Sequence, residues 1–401
     1  MSFSIKSQPA DYYSAHGDAV YVVYDDARPG ATGYTNYKYV CDVFINGGST
    51  PVASVRAVPQ PGSNFGIFNI GDIIRNYVAS VFNPAANTLV CQQTGSGEFF
   101  TSVVCGFYAE FYYLNTYTVD PSTAGTYLQS STATLFFNHY NGRQTGTVTS
   151  LAAFENKVAS NRPQANYINS GDAYCFIPYL PTTTSGVAIQ VKAYAGSTLQ
   201  GTYNGTITPS AANNLQILNV APNAINAADA GLITAVTTHY TVQVHSGTIY
   251  TFNITCEAIY NSYAMHFLNQ YGGFDSRNFT KLSRKALTIT KTDFGKLPYT
   301  IDASGQVNYY NTNNVYNETR STYASQYKEK MTLNTDIITD EEYTWLADLI
   351  LSPLVYIEMN GYFIPCTITA TSYEYKKRIN DKLTNLQLDV EFGDQFNAQF
   401  R

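Results

Sequence analysis

The clearest signal along the chain is alternation of apolar and polar positions, the period of a strand with one buried face. Ala19 to Tyr24 has this pattern, and so does Tyr37 to Ile45. The second run breaks at Asn46-Gly47-Gly48, and Val52 to Val58 returns, which predicts a hairpin. Glu98 to Leu114 is a long aromatic run. Phe99, Thr101, Val103 and Cys105 share one face, opposite Phe100, Ser102 and Val104. One stretch has the other period. Between Asn69 and Phe82, apolar residues stand at 70, 73, 74, 77, 78 and 81, which predicts a helix of about three turns ended by Pro84. Sheet strands covered by one helix make a first domain over 1–125.

Residues 115–150 are rich in Thr, Ser and Gly, with a strand at Ala133 to Phe137. They lead into a second domain over 126–275. Its predicted strands lie near 174–178, 186–194, 215–221, 240–245 and 249–256, a spacing that suits a β-sandwich. The Asn/Ala/Pro-rich stretch 221–230 reads as a loop. The last part, 276–401, reads as α+β. Strands are expected at 286–292 and 327–333. Thr339-Asp-Glu-Glu342 is a capping box opening a helix that stops before Pro353. Val355 to Glu358 and Tyr362 to Ile368 form a hairpin about Asn360-Gly361. Strands at 372–377 and 383–392 are expected to pair across Asn380-Asp381. The fold class is therefore mostly β with a few short helices: β-sandwich-like domains plus a C-terminal α+β domain.

Composition narrows the function. Of 401 residues only 13% are charged, about half the usual share, and 14% are aromatic, with 35 Tyr against 1 Trp. Disordered chains are poor in aromatics and coiled coils are rich in Glu and Lys, so both classes are excluded. The net charge of −6 argues against nucleic acid as a partner. The one basic cluster, Lys376-Lys377-Arg378, is too short to hold phosphates at physiological salt. No secretory leader is read at the start, and no apolar run is long enough for a membrane helix. Residues 1–275 hold 9 Lys/Arg and 14 Asp/Glu, so 29 of the 52 charges fall in the last 126 residues. A surface covered by Tyr, Thr, Ser and Asn suits faces occluded by neighbours in an assembly. A composition bias of the whole lineage explains the same numbers.

Reactive chemistry is sparse. The chain has no G-x-G-x-x-G, Walker loop, H-E-x-x-H or G-x-S-x-G. His239 and His245 face the same side of a continuous strand, but no further metal ligands are evident. Asp25-Asp26 sits before a turn, where adjacent acids are expected to be solvated. Glu341-Glu342 is explained as a helix start. The cysteines at 41, 91, 105, 175, 256 and 366 lack metal or redox spacing and read as small buried hydrophobes; a Cys91–Cys105 disulfide is the alternative weighed. No cofactor and no catalytic or metal-ligating residue is assigned. Tyrosine pairs such as Tyr12-Tyr13, Tyr112-Tyr113 and Tyr309-Tyr310 suit contact surfaces or sugar platforms, and protein contact is preferred because sugar platforms favour Trp.

Two stretches carry a resemblance. One is His266-Phe-Leu-Asn-Gln-Tyr-Gly-Gly-Phe-Asp-Ser-Arg-Asn-Phe279. The other is Ile338-Thr-Asp-Glu-Glu-Tyr-Thr-Trp-Leu-Ala-Asp-Leu-Ile-Leu-Ser-Pro353 with the following Val355-Tyr-Ile and Tyr373-Glu-Tyr-Lys. They resemble segments of tail-associated structural proteins of tailed phages and prophages of Bacteroidetes. The N-terminal pattern of a strand, Phe44-Ile45-Asn46-Gly47, Pro61-Gly62 and a helix also fits. The resemblance implies a non-enzymatic virion subunit of a tail tip or baseplate, made in the host bacterial cytoplasm. Its partners are then other copies of itself and other tail proteins, without membrane insertion. A receptor-binding tail protein that recognises host-surface glycan is the alternative, and an envelope polysaccharide hydrolase is the third reading. Expected interface residues are Tyr112, Tyr113, Tyr271, Phe274 and Arg277. In the first motif the glycines permit a sharp reversal, and Arg277 beside Asp275 is expected to fix it.

Overall fold

The structure, a computed structural model, describes residues 3–9, 12–120, 128–130, 133–139, 156–181, 184–255, 260–311, 313–369 and 384–400. It is mostly β: strand makes up 53% and helix 7%, with three helices among the described residues. The chain forms two units. The first is Met1–Glu257 with His266–Arg277; the second is Ala258–Met265 with Asn278–Arg401. The second unit takes Ala258–Met265 from before the border expected after 275, and its main run begins at Asn278.

The first unit has two hydrophobic cores. The first core lies between a three-stranded sheet (Ser4–Ser7, Val20–Tyr24, Phe65–Asn69) and a larger sheet built on Tyr34–Ile45 and Phe100–Tyr113. The long aromatic strand alternates as its sequence requires. Thr101, Val103, Cys105, Phe107, Ala109 and Phe111 are buried, while Phe100, Ser102 and Val104 are partly open. The predicted hairpin pairs Tyr39 with Ala57 and Val43 with Ala53.

The second core lies between two sheets, the sandwich-like arrangement expected. One sheet holds Lys157–Val158, Phe176–Leu180, Leu215–Asn219 and Val90–Thr94. The other holds Ala165–Asn169, Ile249–Thr255, His239–Val244, Val187–Ala195 and Thr198–Ile207. Ile177, Tyr179 and Leu218 from the first sheet share the core with Val191, Tyr240 and Phe252 from the second.

The border expected at 125/126 does not separate units. Val90–Thr94 hydrogen-bonds to Leu215–Asn219, with Leu215 opposite Thr94. Conversely, Thr134–Phe137 pairs with Phe100–Tyr113 and runs parallel to Tyr12–Ser14. Each half of the unit thus takes a strand from the other half of the sequence.

Two helical expectations change. The three-turn helix is short: α1 spans only Gly71–Arg75. Ile70, Ile74 and Val78 are buried as the periodicity requires, but Val81 is exposed. The reason is local, because Asn76 and the β-branched Val78 and Val81 propagate a helix poorly. The expected loop at 221–230 contains α2, Pro222–Ala228. Proline at the first helical position needs no N–H partner, and the alanines that follow favour the helix. Pro222, Ala224 and Ile225 are buried.

In the second unit, α3 spans Asp340–Leu351. Thr339 caps it by accepting the Glu342 N–H at 3.2 Å, and Ser352 ends it before Pro353. Val355–Met359 and Tyr362–Ile368 pair about Asn360-Gly361, whose φ values of 54° and 78° are those a tight hairpin needs. The sheet continues through Thr384–Phe400 and Arg320–Ile338 to Arg284–Gly295. Met331 stands opposite Val390 and Leu333 opposite Leu388, all four buried. Trp345, Leu346 and Leu349 supply the buried face of α3. The expected strand at 372–377, the Asn380-Asp381 turn and Lys376-Lys377-Arg378 lie outside the described residues.

Trp345 is 1% exposed. Trp345→Ala is expected to destabilise the second unit by about 3–5 kcal/mol, the usual cost of emptying a large aromatic site. Urea unfolding of the full chain checks this, and an unchanged transition means that the indole carries no packing.

Candidate interaction surfaces and a buried polar knot

The motif 266–279 folds into two strands, Tyr263–Leu268 and Phe274–Phe279, joined by a tight turn. Alternation then places Asp275 one step from Ser276, on opposite strand faces. Asn269 organises the turn. Its Oδ1 accepts the N–H groups of Tyr271 at 3.0 Å and Gly273 at 3.1 Å, and its Nδ2 donates to the Ala159 carbonyl at 2.8 Å and to Asp275 Oδ2 at 3.0 Å. Gly272 has φ +79°, and a Cβ there would fall 2.1 Å from the Asn138 carbonyl oxygen. Only glycine fits that approach.

The Asp275 carboxylate is fully buried. Ser160 Oγ donates to it at 2.6 Å, and the Arg162 guanidinium lies 3.7 Å away. Arg162 also donates to the Phe176 carbonyl at 3.1 Å and to the Ser276 carbonyl at 2.5 Å. Burial opposes the Arg162 charge, but Cys175 and Asp275 more than offset it, and its pKa is raised. On the other strand face, His266 Nδ1 and Ser276 Oγ are 2.7 Å apart, and Ser276 Oγ accepts the Phe176 N–H. A Ser–His contact is the start of a nucleophile–base pair. Here His266 is 0% and Ser276 3% exposed, with the Phe82 and Phe176 rings beside the imidazole, so no substrate reaches the pair. The motif is an internal tie between residues 159–176 and 266–277.

This location decides the status of the expected interface residues. Phe274 and Arg277 are buried inside the chain, and Phe274 packs on Phe82 with ring centroids 4.7 Å apart. Tyr271 is half-buried: it stacks on His139 at 5.4 Å and donates to Asn161 Oδ1 at 2.7 Å. Tyr112 and Tyr113 are exposed. They stand at the end of a hairpin whose turn residues, Leu114 and Asn115, have φ of 47° and 67°. A leucine in that conformation is strained by about 1 kcal/mol or more, and this one is 70% exposed. Tyr117 completes the tip, 5.6 Å from Tyr112.

A second, larger exposed surface was not read from the sequence. Arg284–Gly295 pairs with Arg320–Ile338 over twelve register positions, and all but one residue of the first strand is exposed. Residues 284–323 carry 11 of the 27 large apolar side chains exposed among the described residues. Between 297 and 317 the only charge is Asp302. It accepts the N–H groups of Ser304 and Gln306, which hold its carboxyl below the usual range. Tyr299 faces Tyr309 at 6.2 Å and Tyr310 faces Tyr316 at 5.9 Å. Tyr12, the other member of an expected pair, has no described side chain; Tyr13 packs edge-on against Phe136.

The remaining candidate chemistry is tied up in structure. Asp26 is exposed as expected, but Asp25 is fully buried. It accepts Tyr37 Oη at 2.7 Å and pairs with Arg28 Nε at 2.5 Å, while Arg28 also bonds Asp120. Burial and Asp25 together push the Tyr37 hydroxyl far up. His239 stacks flat on Tyr194, whereas the strand ends at Val244 and His245 lies in the turn with φ 54°. The two histidines therefore do not share a strand face. Cys91 and Cys105 are not in disulfides, and neither are Cys41, Cys175 and Cys366. Burial pushes the Cys91 and Cys366 thiols up to about 12. Cys256 lies outside the described residues. Among the described residues no group of three or more His, Cys, Asp or Glu is placed to hold a metal ion. A partly open pocket of only about 10 Å³, room for about one water molecule, is lined by Ser80, Glu98, Phe99 and Phe274 among others. It is far smaller than the usual ligand site. No family model matches the chain, and no curated protein matches it.

Removing one partner of a buried ion pair strands the other. Arg162→Ala is therefore expected to cost about 3–5 kcal/mol in urea unfolding of the first unit; a midpoint unchanged from the parent protein rules out that role for the guanidinium. A pH effect follows from His139. Burial, with His16 nearby, lowers its pKa from 6.5 to about 4. The unfolded chain then takes up the proton first, so stability is full above pH 6.5 and falls as pH drops toward 4, by up to about 3 kcal/mol. His139→Phe keeps a ring on Tyr271 and removes the titration. Its unfolding free energy is expected to depend less on pH across that window, and a parallel pH profile contradicts the assignment.

Proposed function

We propose that the chain is a non-enzymatic structural subunit of a phage tail tip or baseplate, assembling with its own copies and with other tail proteins through Tyr-rich surfaces, in a ring. One observation carries the reading: exposed apolar and aromatic side chains concentrate on residues 284–323 instead of lining a concave pocket. Large exposed patches of this kind mark protein contact. Tyrosine suits such a surface because it buries much area with little loss of rotamer freedom. The burial of Ser276, His266 and Asp25 supports a role without catalysis. Repetition about an axis is the symmetry expected of identical subunits that close on themselves.

A second reading has its own observation. The stretch 297–317 combines four tyrosines with five asparagines and a single charge. Neutral hydroxylated ligands such as glycans are met by that chemistry, so a receptor-binding tail protein is the alternative.

Light scattering of the purified full chain over a concentration series, with negative-stain images, tests the choice. Rings or oligomers of fixed size are expected. A monomer at every concentration, together with binding to host envelope polysaccharide, overturns the structural reading in favour of the glycan binder.

A further inference from the structure

Arg284–Gly295 is the last strand of its sheet among the described residues, so one row of its backbone N–H and C=O groups has no strand beside it. Proteins usually shorten, kink or charge such an edge to prevent pairing. This edge is twelve residues long and carries no extra residue of its own. The register shift beside it, where Thr292 faces Ala324 and Asp293 faces Thr322, puts the extra residue, Tyr323, on the inner strand. Leu287 and Ile289 are 57% and 58% exposed on one face, and Phe294 is exposed on the other.

We propose that this edge pairs antiparallel with the same strand of a second copy, about a two-fold axis at Ile289. The inference rests on the reading of the chain as a subunit that assembles with itself. The occupant is identified by charge. An axis perpendicular to the sheet keeps residues of like parity opposite one another. With Ile289 on the axis, Lys285 stands opposite Asp293 of the second copy, Arg284 opposite Phe294, Thr288 opposite Thr290, and Leu287 opposite the aliphatic stem of Lys291. Opposite charges and threonine pairs across strands are favourable, and a cation over an aromatic ring is as well. Arg320 Nε and Thr322 Oγ1, both on the inner strand, fix the Asp293 carboxylate at 2.8 and 2.5 Å. Moving the axis to Thr288 places Lys285 opposite Lys291, which is repulsive. Moving it to Thr290 places Leu287 opposite Asp293 and leaves Lys285 opposite Gly295. The lysines that blunt this edge toward other strands thus select one register with its own copy.

The full chain carrying Ile289→Cys, treated with a short bis-maleimide, is expected to give a cross-linked dimer. Leu287→Cys alone gives none, because the two copies of residue 287 lie four positions apart in register; mixed with Lys291→Cys it cross-links. Lys285→Asp is expected to weaken the dimer about tenfold, two attractive pairs becoming repulsive, and Lys285→Asp with Asp293→Lys restores it. Cross-linking through residue 287 alone but not 289 overturns the register and with it the proposal. An oligomer that ignores every one of these changes overturns the edge pairing and leaves self-assembly standing. A monomer at all concentrations overturns both.

Discussion

A buried carboxylate dominates the first unit. Taking Asp275 out of water costs several kcal/mol unless hydrogen bonds and an opposite charge replace the lost hydration. Ser160 and Arg162, from one stretch of chain, and Asn269, from the turn that leads to Asp275 itself, meet that demand. To reach Asp275 they bring the entry to the second core against the turn 269–273. Arg162 then donates to two main-chain carbonyls, one on each side of the junction. A hydrophobic contact in the same place tolerates sliding, but this arrangement has one geometry. It also explains why a segment rich in His, Ser, Asp and Arg has no access to solvent.

Low charge extends the same constraint over the rest of the molecule. With few ions to spend on the surface, polar groups are satisfied by neutral donors and acceptors. Asn219 shows the pattern, accepting the Cys175 and Ala221 N–H groups and donating to the Ala173 carbonyl. Tyr240 likewise donates to the Val220 carbonyl from within the core. The tyrosines divide by environment. Tyr21, Tyr39, Tyr179 and Tyr240 are fully buried core rings, whereas those at the hairpin tip and over 309–323 face outward. Composition alone does not separate the two groups, because the residue type is the same.

Alternation made most strands legible, including the faces of Phe100–Tyr113 and the two Asn-Gly hairpins, since each depends on neighbours in sequence. Helix lengths were less legible. Periodicity found the buried residues at 70, 74 and 78, but propensity ended the helix early. Asp25 read as solvated because Tyr37, which donates to it, lies 12 residues away, and Arg28, which pairs with it, is itself held by Asp120, 92 residues further along the chain. Asn269 was passed over although Asn269-Gln-Tyr-Gly-Gly273 is a turn signal with a mechanism. The exposed stretch 284–323 was invisible for a different reason. Its apolar residues look like those of any half-buried strand, and only the structure shows that nothing among the described residues covers them.

The strand exchange within the first unit has a consequence for biosynthesis. Val90–Thr94 emerges from the ribosome long before Leu215–Asn219, the strand it pairs with. At ~5–20 residues per second the delay is on the order of ten seconds, far longer than collapse or hairpin formation. During it, Leu89, Val90 and Cys91 lack the core they belong to. The tie at Asp275 is completed later still, so the unit closes only after nearly all of its sequence exists. Non-local closure of this kind makes folding slow and leaves sticky segments exposed on the nascent chain. A crowded polysome making many copies thus holds unfinished chains near one another, which gives chaperones a natural point of engagement.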